Sequence, residues 1–242
     1  MMHKYSKIVR KVLETADIIL IVLDARQPDA SSNRDIARRI ESLGKKHIFV
    51  INKVDLVSKQ DQAKLNLPNS VEVSSQSHIG TLRLYRKIME LAKGEKVLVG
   101  VVGYPNTGKS TLINTLKGKH IARTSSVSGF TKGVQKIALN DKIMLLDTPG
   151  VLQNYGSDNT SLHMIGAVDV NKIRDPLTAA LDIVDRMDGR VEGYFQVEKH
   201  ADAMETMEQI ALKKNLLLKG GLPDTVRAAK ETIRLVQIGR IR

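Results

Sequence analysis

Residues 103–110 read Gly-Tyr-Pro-Asn-Thr-Gly-Lys-Ser. They follow the β-branched run Val97–Val102 and precede a helical run, Ser110–Leu116. The pattern GxxxxGK[ST] in that setting requires a strand, a tight loop and a helix in that order. The glycines let the backbone curl until successive N–H groups point at phosphate oxygens, and the helix adds its positive end. Lys109 then reaches the β- and γ-phosphates as a point charge, and Ser110 offers a hydroxyl to Mg²⁺. Average residue frequencies give such a match by chance in roughly one chain in a hundred of this length. The competing reading is a Gly-rich strand-to-helix turn, and the flanking elements weigh against it.

The rest of the chain fits the architecture that this loop demands. Ile18–Leu23, His47–Ile51 and Val71–Val73 are short and rich in β-branched residues, as buried strands are. Helical spacing separates them at Asn33–Leu43 and Thr81–Lys93, where Leu82, Tyr85, Ile88, Met89 and Leu91 form an apolar stripe. Alternating strands and helices predict an α/β fold with a mostly parallel sheet covered on both faces. Val134–Leu139 and Lys142–Leu146 flank Asn140-Asp141, a pair that suits a tight hairpin, so one antiparallel pair joins the sheet.

Val151–Ser161 is polar and turn-rich, a loop or switch segment, and strand signals fade beyond it. Asp175 reads as an N-cap before Pro176, opening a helix to Met187. Lys199–Lys213 reads as a second helix, and Leu222-Pro223-Asp224 opens a last one through Val236. The expected division is an α/β domain over 1–165 and a small α-helical domain over 166–242.

Composition narrows the chemistry. The chain has 242 residues and no cysteine, which excludes a disulfide scaffold, a thiolate zinc site and thiol catalysis. Aromatics are 3% and Trp is absent, which argues against a surface that stacks many bases on rings. No segment approaches the roughly 18 to 20 apolar residues of a membrane span. The N-terminus lacks an apolar core and a cleavage site, so a soluble cytoplasmic protein without a membrane partner is expected.

Two further motifs specify the nucleotide. Asp147-Thr148-Pro149-Gly150 follows the apolar run Ile143–Leu146, where the second magnesium contact of a phosphate-loop protein belongs. Asp147 would hold Mg²⁺ through water, and the Gly150 N–H would sense the γ-phosphate. Alone, the same residues read as a strand end and a Pro-Gly turn. Asn52-Lys53-Val54-Asp55 comes directly after the run His47–Ile51. The Asp55 carboxylate can accept from N1–H and N2–H₂ of guanine, a donor pair that adenine lacks. Lys53 would lay its stem over the base, and Asn52 would tie this loop to the phosphate loop.

Together these motifs resemble those of the Ras-like GTPase superfamily, in a different order. Asn52–Asp55 and Ser74-Ser75-Gln76 come before the phosphate loop, and Gly129-Phe130-Thr131-Lys132-Gly133 and then Asp147–Gly150 follow it. That order is a circular permutation, and the chain is similar to the YlqF/YawG family of permuted GTPases, which act in ribosome assembly. Asp24-Ala25-Arg26-Gln27-Pro28 resembles that family's DARxP run. Lys219-Gly220-Gly221-Leu222-Pro223-Asp224 and Gly239-Arg240-Ile241 resemble its C-terminal signature.

The resemblance implies roles by position. Asn52, Lys53, Val54, Asp55, Ser74, Ser75 and Gln76 would surround the base, with the Ser75 N–H meeting guanine O6. Gln76 stands where Ras-like proteins have Lys. Asn106, Thr107, Gly108, Lys109, Ser110 and Thr111 would hold the phosphates. Thr131 matches the switch-one threonine that contacts Mg²⁺ and the γ-phosphate. The hydrolytic set is then Lys109, Thr131, Asn106 and Gly150, and the Mg²⁺ set is Ser110, Thr131 and Asp147. Asn106 also matches an asparagine that supports K⁺ in potassium-activated relatives; a loop-stabilising turn residue is the equal alternative. Val151 and Leu152 stand where Ras-like enzymes place a water-orienting Gln, so another group must position water. His3 is similar to a histidine before the first helix of some bacterial relatives, against a plain surface residue.

The implied protein binds GTP and GDP, hydrolyses GTP slowly, and is a monomeric switch on ribosomal RNA or the large ribosomal subunit. The alternatives are an RNA-binding scaffold with incidental hydrolysis, or another phosphate-loop phosphotransferase. The permutation leads from Asp147–Gly150 directly into the helical domain, so release of the γ-phosphate is expected to change that domain's grip on RNA. The net charge of +12 divides unevenly. Residues 1–165 carry 25 Lys+Arg against 14 Asp+Glu, and residues 166–242 carry 13 against 12. The last segment, Val226–Arg242, has five Lys+Arg and one Glu, so it and the α/β domain are the expected phosphate contacts.

Overall fold

The computed structural model describes residues 2–32, 34–63, 65, 67–120, 135–147 and 159–241. Side chains are described for most of these, the exceptions including those of residues 2–6, Asp147 and Asn159. The chain forms two compact units, Met1–Gly156 and Ser157–Arg242.

The first unit runs α1 (Met2–Thr15), β1 (Ile18–Asp24), α2 (Pro28–Ser31), α3 (Arg34–Ser42), β2 (Lys46–Asn52), α4 (Lys59–Gln62), β3 (Ser70–Val73), α5 (Thr81–Ala92), β4 (Val97–Gly103), α6 (Lys109–His120), β5 (Gln135–Ala138) and β6 (Ile143–Asp147). The described strands form one sheet in the order β3-β2-β1-β4-β6-β5. All neighbours are parallel except β5 and β6. Strand order runs outward from β1 to one side, then restarts at β4 on the other. The carboxyl ends of β1 and β4 therefore flank a topological switch point, where open α/β sheets bind ligands.

All seven residues of β1 are buried, as a strand covered on both faces must be. One core gathers Leu20, Val22, Ile48, Val50, Val99 and Val101 with Leu84 and Ile88 of α5 and Leu112 and Ile113 of α6. Each such side chain contributes about 1.5–3 kcal/mol on burial. On the other face α1 packs closely, because Gly100 carries no side chain. A Cβ there would stand 2.7 Å from Val12 Cγ1 and 3.0 Å from Ala16 Cβ. Helix α1 was not anticipated from the sequence: its first residues are charged, and its apolar face of Val9, Val12 and Leu13 is buried in the fold, where the helix packs against β4. The hairpin between β5 and β6 is wider than a two-residue turn. Asn140 Oδ1 accepts from Lys142 N at 2.8 Å and Ile143 N at 2.7 Å, so its side chain closes the turn.

The second unit contains α7 (Asn159–Met164), α8 (Pro176–Met187), α9 (Arg190–Phe195), α10 (Ala203–Lys213) and α11 (Thr225–Gln237). The sequence places the domain change at 165; α7 packs on α8 and α11, so the second unit begins earlier. Asp175, Asp202 and Asp224 each cap a helix, accepting from Thr178, Met204 and Arg227 backbone N–H groups. The second helix begins at Ala203, four residues after the expected Lys199, because Asp202 is its cap. Its core joins Ile183, Val191, Met207 and Ile210 to Ala228, Ala229 and Ile233. Among the described residues no helix is long and apolar enough to cross a membrane.

The packing at Gly100 gives a direct test. Gly100→Ala is expected to lower stability by about 1–3 kcal/mol through overpacking against Val12 and Ala16, measured by urea unfolding. The double variant Gly100→Ala/Val12→Ala should recover part of the loss.

Candidate nucleotide site

The site is built where β1, β2, β3 and β4 end. Strand β4 ends at Gly103, where only glycine fits, since a Cβ there would lie 2.5 Å from Val22 O of the neighbouring strand. The loop then folds onto its own carbonyl at Tyr104. Thr107 Oγ1 donates to Tyr104 O at 2.9 Å, and the Lys109 ammonium donates to the same oxygen at 2.6 Å. Lys109 is buried at the first position of α6, so its charge is held over the loop and away from solvent. Asn106 takes a left-handed backbone with φ 59°, a conformation that Asn tolerates. Gly108 takes φ 91°, and a Cβ there would stand 2.3 Å from Asn52 Nδ2. Ser110 and Thr111 are exposed on the first turn of α6.

Asn52, the last residue of β2, joins this loop to the others. It is 1% exposed. Its Nδ2 donates to Thr107 O at 2.8 Å. Its Oδ1 accepts from Ser75 N at 3.1 Å and from Ser75 Oγ at 2.8 Å. Both ends of one carboxamide are thus used, one on the phosphate loop and one on the loop after β3. The sequence anticipated the first of these bonds. It missed Thr115, whose hydroxyl donates to Ser75 O at 2.8 Å and fastens the same loop to α6. A threonine on the inner face of a helix carries no local signal for such a role. Ser74 is fully buried and its Oγ accepts from Ser77 N, while Gln76 is exposed.

Lys53 has a left-handed backbone, φ 66°, and its ammonium reaches Asp24 Oδ2 at 2.8 Å. The Arg26 guanidinium donates to the same carboxylate from Nε at 2.9 Å and from Nη2 at 2.8 Å, and the Arg26 backbone N–H donates to it at 3.1 Å. Burial alone would raise the Asp24 pKa. The bonds and charge of Arg26, and then those of Lys53, outweigh it and hold the carboxyl below its ordinary value. Burial pushes the Lys53 ammonium down, and the Asp24 charge opposes that. Val54 packs with Ala25 and Ile51 beneath this loop, and Asp55 is half-buried beside it.

Asp147 ends β6, opposite Val101 of β4, which places it one strand from the phosphate loop. Its side chain, Thr131, Gly150 and Val151 lie outside the described residues. His3 lies in the first turn of α1, and its side chain is likewise outside them. The structure therefore brings together Asn52–Asp55, Ser74–Gln76 and Asn106–Thr111 at one end of the sheet. Among the described residues no cluster of three His, Asp or Glu side chains forms a metal site. Oxygen donors such as the Ser110 hydroxyl suit a hard cation that takes its other ligands from phosphate and water.

The Asn52 bridge predicts the effect of two substitutions. Gly108→Ala forces a methyl into Asn52 and strains the backbone, and Asn52→Ala removes all three bonds. Both are expected to weaken guanine nucleotide binding at least tenfold, since each buried bond is worth about 1–3 kcal/mol. Titration with a fluorescent GDP analogue measures the loss.

Comparison with known proteins matches this geometry. Residues 98–218 match the family model of the "50S ribosome-binding GTPase", and residues 1–155 match that of the "RsgA GTPase". An uncharacterised GTP-binding protein of Methanocaldococcus jannaschii is 41% identical, over 98% of this chain and 65% of its own length. The GTPase grn1 of Schizosaccharomyces pombe is 31% identical, over 98% of this chain and 60% of its own. Nucleolar GTP-binding protein 2 of Yarrowia lipolytica is 34% identical, over 96% and 48%. The chain thus spans about half to two thirds of these relatives. The GNP-bound crystal structure of YlqF from T. maritima superposes with a TM-score of 0.68 at 27% identity, covering 98% of this chain and 95% of that one. The motif order, the sheet and the family matches agree: the chain belongs to the circularly permuted GTPases.

Proposed function

We propose that this chain binds GTP, hydrolyses it to GDP and phosphate, and uses the two states as a switch in assembly of the large ribosomal subunit. The observation that carries the nucleotide reading is the Asn52 carboxamide, which holds the base-side loops and the phosphate loop in one register. The ribosomal destination is supported by the family description and by the placement of basic charge.

In this reading Asp55 accepts from the guanine edge, Lys53 flanks the base, and Ser74, Ser75 and Gln76 close its far side. Asn106, Thr107, Gly108, Lys109, Ser110 and Thr111 surround the phosphates. Lys109 leaves the Tyr104 carbonyl for the β- and γ-phosphates, exchanging a neutral acceptor for an anionic one. Mg²⁺ would be held by Ser110, Thr131 and Asp147, and it supplies charge neutralisation to the transferring phosphoryl group. Thr131 and Gly150 sense the γ-phosphate. Asn106 is the candidate for a K⁺ contact, its left-handed backbone being equally what a turn residue requires. A low intrinsic rate, stimulation by the ribosomal partner, a monomeric state and a cytoplasmic location belong to the same proposal.

Two measurements test it. In nucleotide competition, GTP and GDP should displace a fluorescent GDP analogue and ATP should not. Asp55→Ala should weaken GTP about 10²-fold or more, since the guanine donors lose their only charged acceptor. Tight ATP binding would instead favour a phosphotransferase. In co-sedimentation with separated subunits, the chain should pellet with the large subunit and respond to a GTP analogue against GDP. Equal affinity in both nucleotide states would leave a scaffold with incidental hydrolysis. Turnover in K⁺ against Na⁺ decides the role of Asn106.

A further inference from the structure

The run Asp24-Ala25-Arg26 is not used by the roles assigned above, yet Asp24 is the most deeply buried charge among the described residues of the site. Strand β1 lies between β2 and β4, with Asp24 in register with Asn52 and Val22 in register with Gly103. Asp24 therefore stands between the base loop and the phosphate loop. It is fully buried, and its backbone is fixed by a bond from its N–H to Ser31 Oγ at 2.9 Å. Its single carboxylate serves two cations, Arg26 through Nε and Nη2 and Lys53 through Nζ.

This arrangement decides where the Lys53 ammonium goes. Lys53 sits two residues before Asp55, the proposed acceptor for guanine, and both carboxylates attract it. Asp24 bonds to the ammonium at 2.8 Å, and of the two carboxylates it acts on Lys53 the more strongly. The left-handed turn at Lys53 is a costly conformation for a side chain of this size, and such strain persists where the surroundings over-determine it. Without the Asp24 charge, Arg26 and Lys53 would be two cations side by side. Lys53 would move off toward solvent or toward Asp55, taking its stem from the base position and competing for the guanine acceptor.

We propose that Asp24 is a positioning residue for guanine recognition: it anchors the Lys53 ammonium beside the end of β1, and Arg26 locks Asp24 in the geometry that does so. This rests on reading Asn52–Asp55 as the guanine loop. Asp24 acts through Lys53, so its effect falls on the base and not on the phosphates.

A double-mutant cycle tests the proposal. Dissociation constants for fluorescent GDP and a fluorescent non-hydrolysable GTP analogue are measured for the wild type, Asp24→Asn, Lys53→Met and the double variant. Asp24→Asn should weaken both nucleotides by the same factor, about tenfold or more, and in turnover the loss should sit in KM rather than kcat. In the Lys53→Met background the same change should cost less than about twofold, because the ammonium it positions is gone. Additive losses, or a loss confined to the triphosphate, would overturn the proposal. If Asp24→Asn does not fold, Arg26→Gln replaces it, with the same expected coupling to Lys53→Met and the same overturning result. A wild type without guanine preference would defeat the reading of the guanine loop itself. A wild type that prefers guanine but shows an additive cycle defeats this inference alone.

Discussion

The Asn52 side chain donates to one loop and accepts from another, and the rest of the site follows from that. Its partners Thr107 and Ser75 lie 55 and 23 residues away in the sequence. A buried amide with both ends satisfied admits little play, since any shift leaves a polar atom without a partner in a dry environment. Gly108 is needed because a side chain there would occupy the place of the Asn52 nitrogen. One residue at the end of one central strand thus ties the loop after β3 to the loop after β4.

The permuted order becomes intelligible on this basis. Strand pairing and the Asn52, Ser75 and Thr115 bonds are noncovalent, so they form whichever way the loops are joined. What the order changes is the covalent path. Strand β6 ends at Asp147, and the chain then runs through residues 148–158 to the helical unit. Residue Gly150, proposed above as a γ-phosphate contact, is thereby joined through a short covalent path to the next unit, which is the path the proposed switch would use.

Charge is used in two distinct ways. In the first unit, the buried Asp24 is held by the partly buried Arg26 and Lys53, and close bonding offsets the cost of its desolvation. In the second unit, acidic residues do local structural work. Asp175, Asp202 and Asp224 satisfy the first amides of α8, α10 and α11. The near neutrality of that unit therefore reflects helix capping in part, and the basic residues of α11 keep their place as an exposed positive run.

The sequence by itself determined the phosphate loop, the NKVD loop, the parallel strands and the three long helices after them, α10 with a start four residues early. These are local matters: period-two and period-3.6 patterns, a cap, a glycine spacing. It also determined the family, because motif order is read along the chain. Only the tertiary structure decided that α1 packs over Gly100, that Thr115 holds Ser75, and that Asp24 holds Lys53. Each of these depends on a side chain meeting a group from another turn, strand or helix. Nothing in a residue's near neighbours states which distant backbone will be there; burial and the strand order supply that partner.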